Sequence, residues 1–495
     1  MTHPLPIDTT FLPAQRDGAD IAAYPIGADK ALPVPLAQLD AAAGGLVTRA
    51  LAAHPAFKAK AGDVLPLALP ASAPFARALL VGVGEAPTAL DHEKAGGALF
   101  AALEGAGTAR VALFAGTGEA AAHLAAGFAA RAWRFGQYKA DKPDTPPRPQ
   151  ALDVVTVDAD AARALWDQAL APQIAGVCTA RDLISEPPNV LYPESYAQRV
   201  AALLKPLGVE VDILDEKRLD KLGMGGILGV GQGSARPPRL VILRWKGSGQ
   251  GAPVALVGKG ITFDTGGISI KPSAKMEEMK ADMAGSAAVV GAVEALARAK
   301  SPTPVVAALA LAENMPSANA YRPADILTTY AGKTVEVFNT DAEGRLVLVD
   351  ALAYVQQQFS PRAVVDAATL TGAIVVALGE EYAGAFVNDD ALWEGLAAAS
   401  AATGEKLWRM PLDKAFRKQV ESDIADLRNT GKVDRAAGSC TAAAFLEHFI
   451  EDGTPWAHLD IAGVGLFGKA SSTGPKGATG FGVRLLFALA QRMGA

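Results

Sequence analysis

Short apolar or β-branched runs recur along the chain at residues 78–83, 110–114, 152–157, 209–214, 240–245 and 254–257. Runs of that length predict buried strands. Between them lie Ala-rich segments with helical spacing, such as 118–135, and one beginning near residue 161. Strand and helix alternating in this way is the rhythm of a largely parallel sheet covered on both faces. Further along, residues 334–338 are extended in character and 346–359 are apolar with a helical period. The glycines between 223 and 233 read as turns.

The chain has 495 residues, more than one core usually organises, so two domains are expected. Residues 141–149, Asp-Lys-Pro-Asp-Thr-Pro-Pro-Arg-Pro, form the clearest break in composition. Proline there blocks regular structure and stiffens a connector. The fold class read from this pattern is α/β in two domains, each a mostly parallel or mixed sheet flanked by helices. The expected division is an N-terminal α/β domain (1–150) for assembly or regulation and a linker strand with a bridging helix (151–178). The larger C-terminal domain (179–495) carries the chemistry.

Composition narrows the classes. Hydrophobic residues make up 50% and charged ones 20%, which fits a folded protein. A net charge of −6 argues against a generic surface for nucleic acid or anionic membrane. Two cysteines, Cys178 and Cys440, cannot build a disulfide framework. Residues 1–15 show no basic flank or apolar core of a signal peptide, and no apolar run approaches the ~18 residues needed to span a bilayer. A soluble cytoplasmic protein is expected.

Common catalytic patterns are missing. The six histidines form neither a His-Glu-x-x-His helix nor a Cys-His cluster, and there is no Gly-x-Ser-x-Gly elbow. Gly82-Val83-Gly84 fails as a dinucleotide loop because Pro87 stands at the third glycine position. Gly258-Lys259-Gly260 lacks the Ser or Thr of a phosphate-binding loop. A hydrolase built here must work with carboxylates and lysines.

One octet concentrates them. Asn339-Thr340-Asp341-Ala342-Glu343-Gly344-Arg345-Leu346 sets two carboxylates two apart and a guanidinium two further on, at a predicted strand-to-helix turn where helix amides favour anions. A metal is the economical partner for the carboxylates. Taken alone, the octet equally suits a capping Asp and Glu beside a surface Arg. Upstream, Lys259 and Asp264 follow the strand 254–257, at the carboxyl edge where open parallel sheets bind ligands. Asp282 falls early in a helical stretch ending near Lys300, and Met276, Met279 and Met283 share one face of it.

The blocks Val257 to Pro272, Met279 to Met283 and Asn339 to Leu346 together resemble the cytosolic leucyl aminopeptidases, the M17 family of two-metal peptidases. The likeness runs from about residue 180 to the C-terminus and is weaker over the first third. It implies one ion held by Lys259, Asp264, Asp282 and Glu343, and a second by Asp264, Asp341 and Glu343 with the Asp341 carbonyl. The ions implied are Mn2+ or Zn2+, with Mg2+ a further candidate. It also implies removal of one N-terminal residue, leucine or another mainly apolar one, from peptides with a free amine. Lys271 would steady the tetrahedral intermediate, and bicarbonate held by Arg345 would act as general base. Met279 would line the first side-chain pocket, while Asn339, Thr369, Leu370 and Gly372 would contact substrate. Residues 465–475 match no pattern and are read as shaping that pocket; His458 is read as structural. A homohexamer is implied as well. Two alternatives remain open: another dinuclear hydrolase using the same carboxylates, and an additional DNA-binding or regulatory role, as in some bacterial members.

Overall fold

The computed structural model describes residues 5–140, 148–433 and 436–494. Most of the proline-rich connector, residues 141–147, lies outside them. Two compact units emerge, one spanning Pro4–Ile174 with Lys469–Lys476, the other Ala175–Gly468 with the C-terminal stretch from Gly477.

The first unit holds a six-stranded sheet in the order Asp8–Leu12, Ala151–Val155, Arg110–Phe114, Ile21–Gly27, Arg77–Gly84 and Val64–Ala68. Every pairing is parallel except the last. The strand expected in a linker is therefore an interior strand of this sheet. Leu152 and Val154 are fully buried, and Asp153 takes ion pairs from Arg16 at 2.6 Å and Arg110 at 2.9 Å. Burial on that scale is incompatible with a free connector. Helices Ala89–Leu103 and Gly118–Ala132 pack at backbone distance, since a Cβ on Gly127 would stand 1.8 Å from Glu93 O. The boundary between the units falls inside helix Ala171–Ser185. Residues 469–476 also belong to this unit, where a Cβ on Gly97 would lie 1.8 Å from Ser472 O.

The second unit is built on an eight-stranded mixed sheet. Its order is Leu407–Met410, Ala383–Val387, Trp456–Asp460, Ala363–Ala368, Val254–Asp264, Val305–Asn314, Arg239–Trp245 and Glu210–Leu214. The central strands, Trp456–Asp460 through Val305–Asn314, run parallel. Alternation along a strand sends successive side chains to opposite faces. Val254 and Leu256 accordingly enter the core beneath helix Ala284–Arg298, and Ala255 and Val257 enter the one beneath helix Gly344–Phe359.

Strand Val254–Asp264 runs seven residues past its expected end. Gly258 lets helix Ala284–Arg298 lie directly on the strand, a Cβ there meeting Ser286 Cα at 2.4 Å; pairing with Ala363–Ala368 ends at Gly258, while pairing with Val305–Asn314 carries the strand on to Asp264. Lys259 and Asp264 thus sit on the strand, not after it. Asp282 is not helical either. It follows a 3-10 turn, Met276–Ala281, and precedes the helix that starts at Ala284. With no continuous helix, the three methionines do not form a stripe; Met283 is core, and Met276 and Met279 are half-buried.

Gly225–Gly231 is a short helix where turns were expected. Its glycines allow close packing, a Cβ on Gly226 falling 2.3 Å from Leu346 O. Only Thr334–Glu336 of the extended run forms a strand, in a side sheet with Ile326–Thr328 and Leu427–Arg428. Among the described residues no helix is long and apolar enough to cross a membrane.

Candidate metal centre

Midway along the central strand Val254–Asp264, Lys259 is 3% exposed, and its Nζ donates to Asp282 Oδ2 at 2.8 Å, Glu343 Oε1 at 2.9 Å and Thr369 O at 2.9 Å. Beyond the strand the chain turns through Gly266 and Gly267, both at positive φ (87° and 65°), and returns Lys271 to Asp264 at the strand's end. Lys271 Nζ donates to Asp264 Oδ2 at 2.8 Å and Asp341 Oδ1 at 2.6 Å. Glycine is required at 266, where a Cβ would stand 2.5 Å from Ser269 O and 2.9 Å from Asp341 Oδ1.

Glu343 is the residue that opens helix Gly344–Phe359, yet its side chain makes no capping bond. Asp341, Glu343 and Arg345 therefore are not a cap with a surface cation. Glu343 and Arg345 are buried, and Glu343 turns its carboxylate to Lys259. Oxygens of Asp264, Asp341 and Glu343 all lie within 4.8 Å of one another, and Lys259 Nζ joins Asp282 to the group. Burial raises the pKa of Asp264, of Asp341 and, strongly, of Asp282, and neighbouring carboxylates raise them further. Burial alone would lower Lys259 and Lys271, but the carboxylates around them outweigh it and hold both as ammonium ions.

Clustered, desolvated carboxylates of this kind suit hard or borderline dications, Mn2+, Mg2+ and Zn2+ among them. The carboxylates of Asp264, Asp341 and Glu343 form a donor set that fits a divalent ion. Lys259 could join it as a ligand only by shedding its proton to the field of the arriving charge.

Small residues keep the space open. A Cβ on Gly344 would stand 2.5 Å from Lys259 Cε and 2.6 Å from its Nζ. Gly344→Ala is therefore expected to push the pinned lysine aside, destabilise the unit by about 1–3 kcal/mol, and weaken Mn2+ binding. The unfolding midpoint and a Mn2+ titration of the variant check this; unchanged values for both would contradict it.

Arg345 Nη1 donates to Asn429 O at 2.7 Å, while Nε has no hydrogen-bond partner among the described residues. Burial lowers the pKa of this guanidinium to about 10. A buried cation with an unused donor fits an anion.

The remaining expected residues divide. Thr369 joins the cluster through its carbonyl and through Oγ1, which donates to Asp282 Oδ1 at 2.7 Å. Leu370 N donates to Asp460 Oδ1, Gly372 is exposed at the start of helix Gly372–Leu378, and Met279 is half-buried on the 3-10 turn. Asn339 Oδ1 accepts from Asp341 N at 2.8 Å. His458 lies fully buried, Nδ1 2.6 Å from Asp366 Oδ1 and its ring stacked near Phe386.

Several supporting residues escaped the sequence reading. Asn314 Nδ2 donates to Asp264 Oδ1 at 2.8 Å and Thr340 O at 2.9 Å, and Tyr321 OH donates to Thr340 O at 2.7 Å. Thr340 Oγ1 ties the octet to Gly266 O and Ser269 N. Asn314 had a readable signal, a polar residue closing an apolar strand at the ligand-binding edge. The others had none.

Comparison with known proteins points to one family. The family model described as "Cytosol aminopeptidase family, catalytic domain" matches residues 178–487, and its N-terminal domain matches 25–142. A probable cytosol aminopeptidase of Rhodopseudomonas palustris is 51% identical over 456 residues, 90% of each chain. One of Methylorubrum populi is 47% identical over 490 residues, 97% of each. Among solved structures, a tomato leucine aminopeptidase mutant superposes with TM-score 0.87 at 32% identity, covering 98% of this chain and 96% of that one. The bottromycin maturation enzyme BotP in complex with Mn gives 0.85 at 33% identity, covering 97% and 100%.

Proposed function

The chain belongs to the cytosol aminopeptidase family of metal-dependent peptidases, and from that premise we propose that it removes leucine and other mainly apolar residues from the free N-terminus of peptides in the cytoplasm. The observation that carries the reading is the meeting of Asp264, Asp341 and Glu343 within 4.8 Å at the end of the central strand, bracketed by Lys259 and Lys271. Lys259, Asp264, Asp282 and Glu343 would hold one divalent ion, and Asp264, Asp341 and Glu343 the other. Such ions lower the pKa of water, polarise a carbonyl and bind an uncharged α-amine.

The chain's own groups do the rest. Lys271 stays protonated, as the carboxylates around it favour. Its ammonium, placed at the edge of the cluster, would donate to the scissile carbonyl oxygen and stabilise the charge that develops there. Arg345, with its unused Nε, would hold bicarbonate beside the reacting centre, where the anion would supply a general base, a role no histidine near the cluster fills among the described residues. The Thr369–Gly372 segment and Asn339 border the bound peptide, and Met279 lines the space for its first side chain. The same reading assigns the homohexamer that the family likeness implies.

Leucine p-nitroanilide assayed beside its N-acetyl derivative tests this. Chelation is expected to abolish cleavage of the free-amine substrate, Mn2+ or Zn2+ to restore it, and the blocked substrate to stay intact throughout. Equal cleavage of both substrates would remove the amine anchor; no cleavage by the folded protein with any metal would remove the peptidase.

A further inference from the structure

Asn429 is fully buried and follows the two-residue strand Leu427–Arg428, which pairs in parallel with Thr334–Glu336. Asn429 N extends that ladder by donating to Glu336 O at 3.1 Å. The register brings its side chain against the segment that leads into Asp341 and Glu343. There Oδ1 accepts from Phe338 N at 2.7 Å and Asn339 N at 3.3 Å, and Nδ2 donates to Asn339 O at 2.6 Å and Ala342 O at 3.3 Å. A primary amide has two donors and two lone pairs. Here all of them go to main-chain groups of residues 338–342.

The clamp reaches the chemistry through two short connections. Asn339, held by Asn429 on both its N–H and its carbonyl, uses its own Oδ1 to accept from Asp341 N at 2.8 Å. Asn429 O accepts from Arg345 Nη1 at 2.7 Å. One residue thus fixes the backbone on one side of Asp341, the carbonyl just before Glu343, and the guanidinium beyond it. Aspartate has the shape but no donors for the carbonyls of Asn339 and Ala342, serine reaches fewer of these groups, and alanine reaches none.

We propose that Asn429 is a positioning residue of the metal centre, its amide setting the 338–342 segment so that Asp341 and Glu343 present their oxygens together and its carbonyl aiming Arg345. The proposal rests on the reading of the site as a two-metal aminopeptidase. Partners that orient metal ligands are typically worth roughly 10–100-fold in affinity or activity.

Asn429→Ala and Asn429→Ser, compared with the unaltered chain, test it by three readouts. These are the unfolding midpoint of the metal-free protein, Mn2+ affinity by equilibrium dialysis, and kcat and KM for leucine p-nitroanilide at saturating Mn2+. Asn429→Ala is expected to bind Mn2+ roughly 10–100-fold more weakly and to lose kcat by a similar factor, with little change in KM. Asn429→Ser, which keeps a hydroxyl, is expected to recover part of both and covers the case in which the alanine variant does not fold. Variants that are less stable yet bind Mn2+ as the unaltered chain does and keep its kcat would overturn the positioning role alone. An unaltered chain that neither binds Mn2+ nor cleaves the substrate would overturn the functional reading and this proposal with it.

Discussion

Glu343→Gln lowers kcat/KM for leucine p-nitroanilide by on the order of 10³-fold, equivalent to about 4 kcal/mol of transition-state stabilisation. Glutamine keeps the shape and one carbonyl oxygen, so packing at the start of helix Gly344–Phe359 is preserved. It removes the charge that both proposed ions would share. It also sets an amide, with donors of its own, beside Lys259 Nζ, which now lies 2.9 Å from Glu343 Oε1. Lys259 keeps Asp282 at 2.8 Å and Thr369 O at 2.9 Å, so the buried ammonium is not orphaned and the chain is expected to fold. The loss should appear together with fewer than two Mn2+ bound per chain. Activity within tenfold of the unaltered chain would show that Glu343 bridges nothing.

Lys271→Met separates chemistry from metal binding. Methionine approximates the length of the side chain without its charge. Removing one preorganised donor to a developing oxyanion is worth on the order of 10²–10³ in kcat, and that fall is expected here with KM and Mn2+ content little altered. Two carboxylates lose their ammonium partner, Asp264 at 2.8 Å and Asp341 at 2.6 Å, so the metal-free variant should be less stable. Added Mn2+ should restore most of that stability because it supplies the missing positive charge. A kcat close to that of the unaltered chain would assign stabilisation of the carbonyl oxygen to another group.

Much of this was legible in the sequence. The octet Asn339 to Leu346 announces itself because charges concentrated at a strand-to-helix turn require partners, and the structure puts Glu343 and Arg345 inside. Strands such as Arg110–Phe114 and Arg239–Trp245 follow from short apolar runs flanked by turns. What stayed hidden depends on contacts distant in the chain. Gly258 and Gly226 look like breakers until helix Ala284–Arg298 lies against the first and Leu346 against the second. Residues 151–155 look like a linker because their sheet partners, Asp8–Leu12 and Arg110–Phe114, lie far back in the sequence. Asp282 escaped the helix assigned to it because the methionine spacing mimics a helical stripe across what is a 3-10 turn and a separate helix start. Asn429 carries no periodic signal; it acts through side-chain hydrogen bonds to main-chain groups about ninety residues away in sequence.

The most direct test of the central claim is a count of metal ions. The full chain, stripped with a chelator and dialysed, would be titrated with Mn2+ while bound metal and leucine p-nitroanilide cleavage are followed together. Two ions per chain, with activity absent in the stripped protein and appearing as the sites fill, is the expected result. Binding of one ion or none, or full activity in the stripped protein, would contradict the reading of Asp264, Asp341 and Glu343 as the shared heart of a two-metal site.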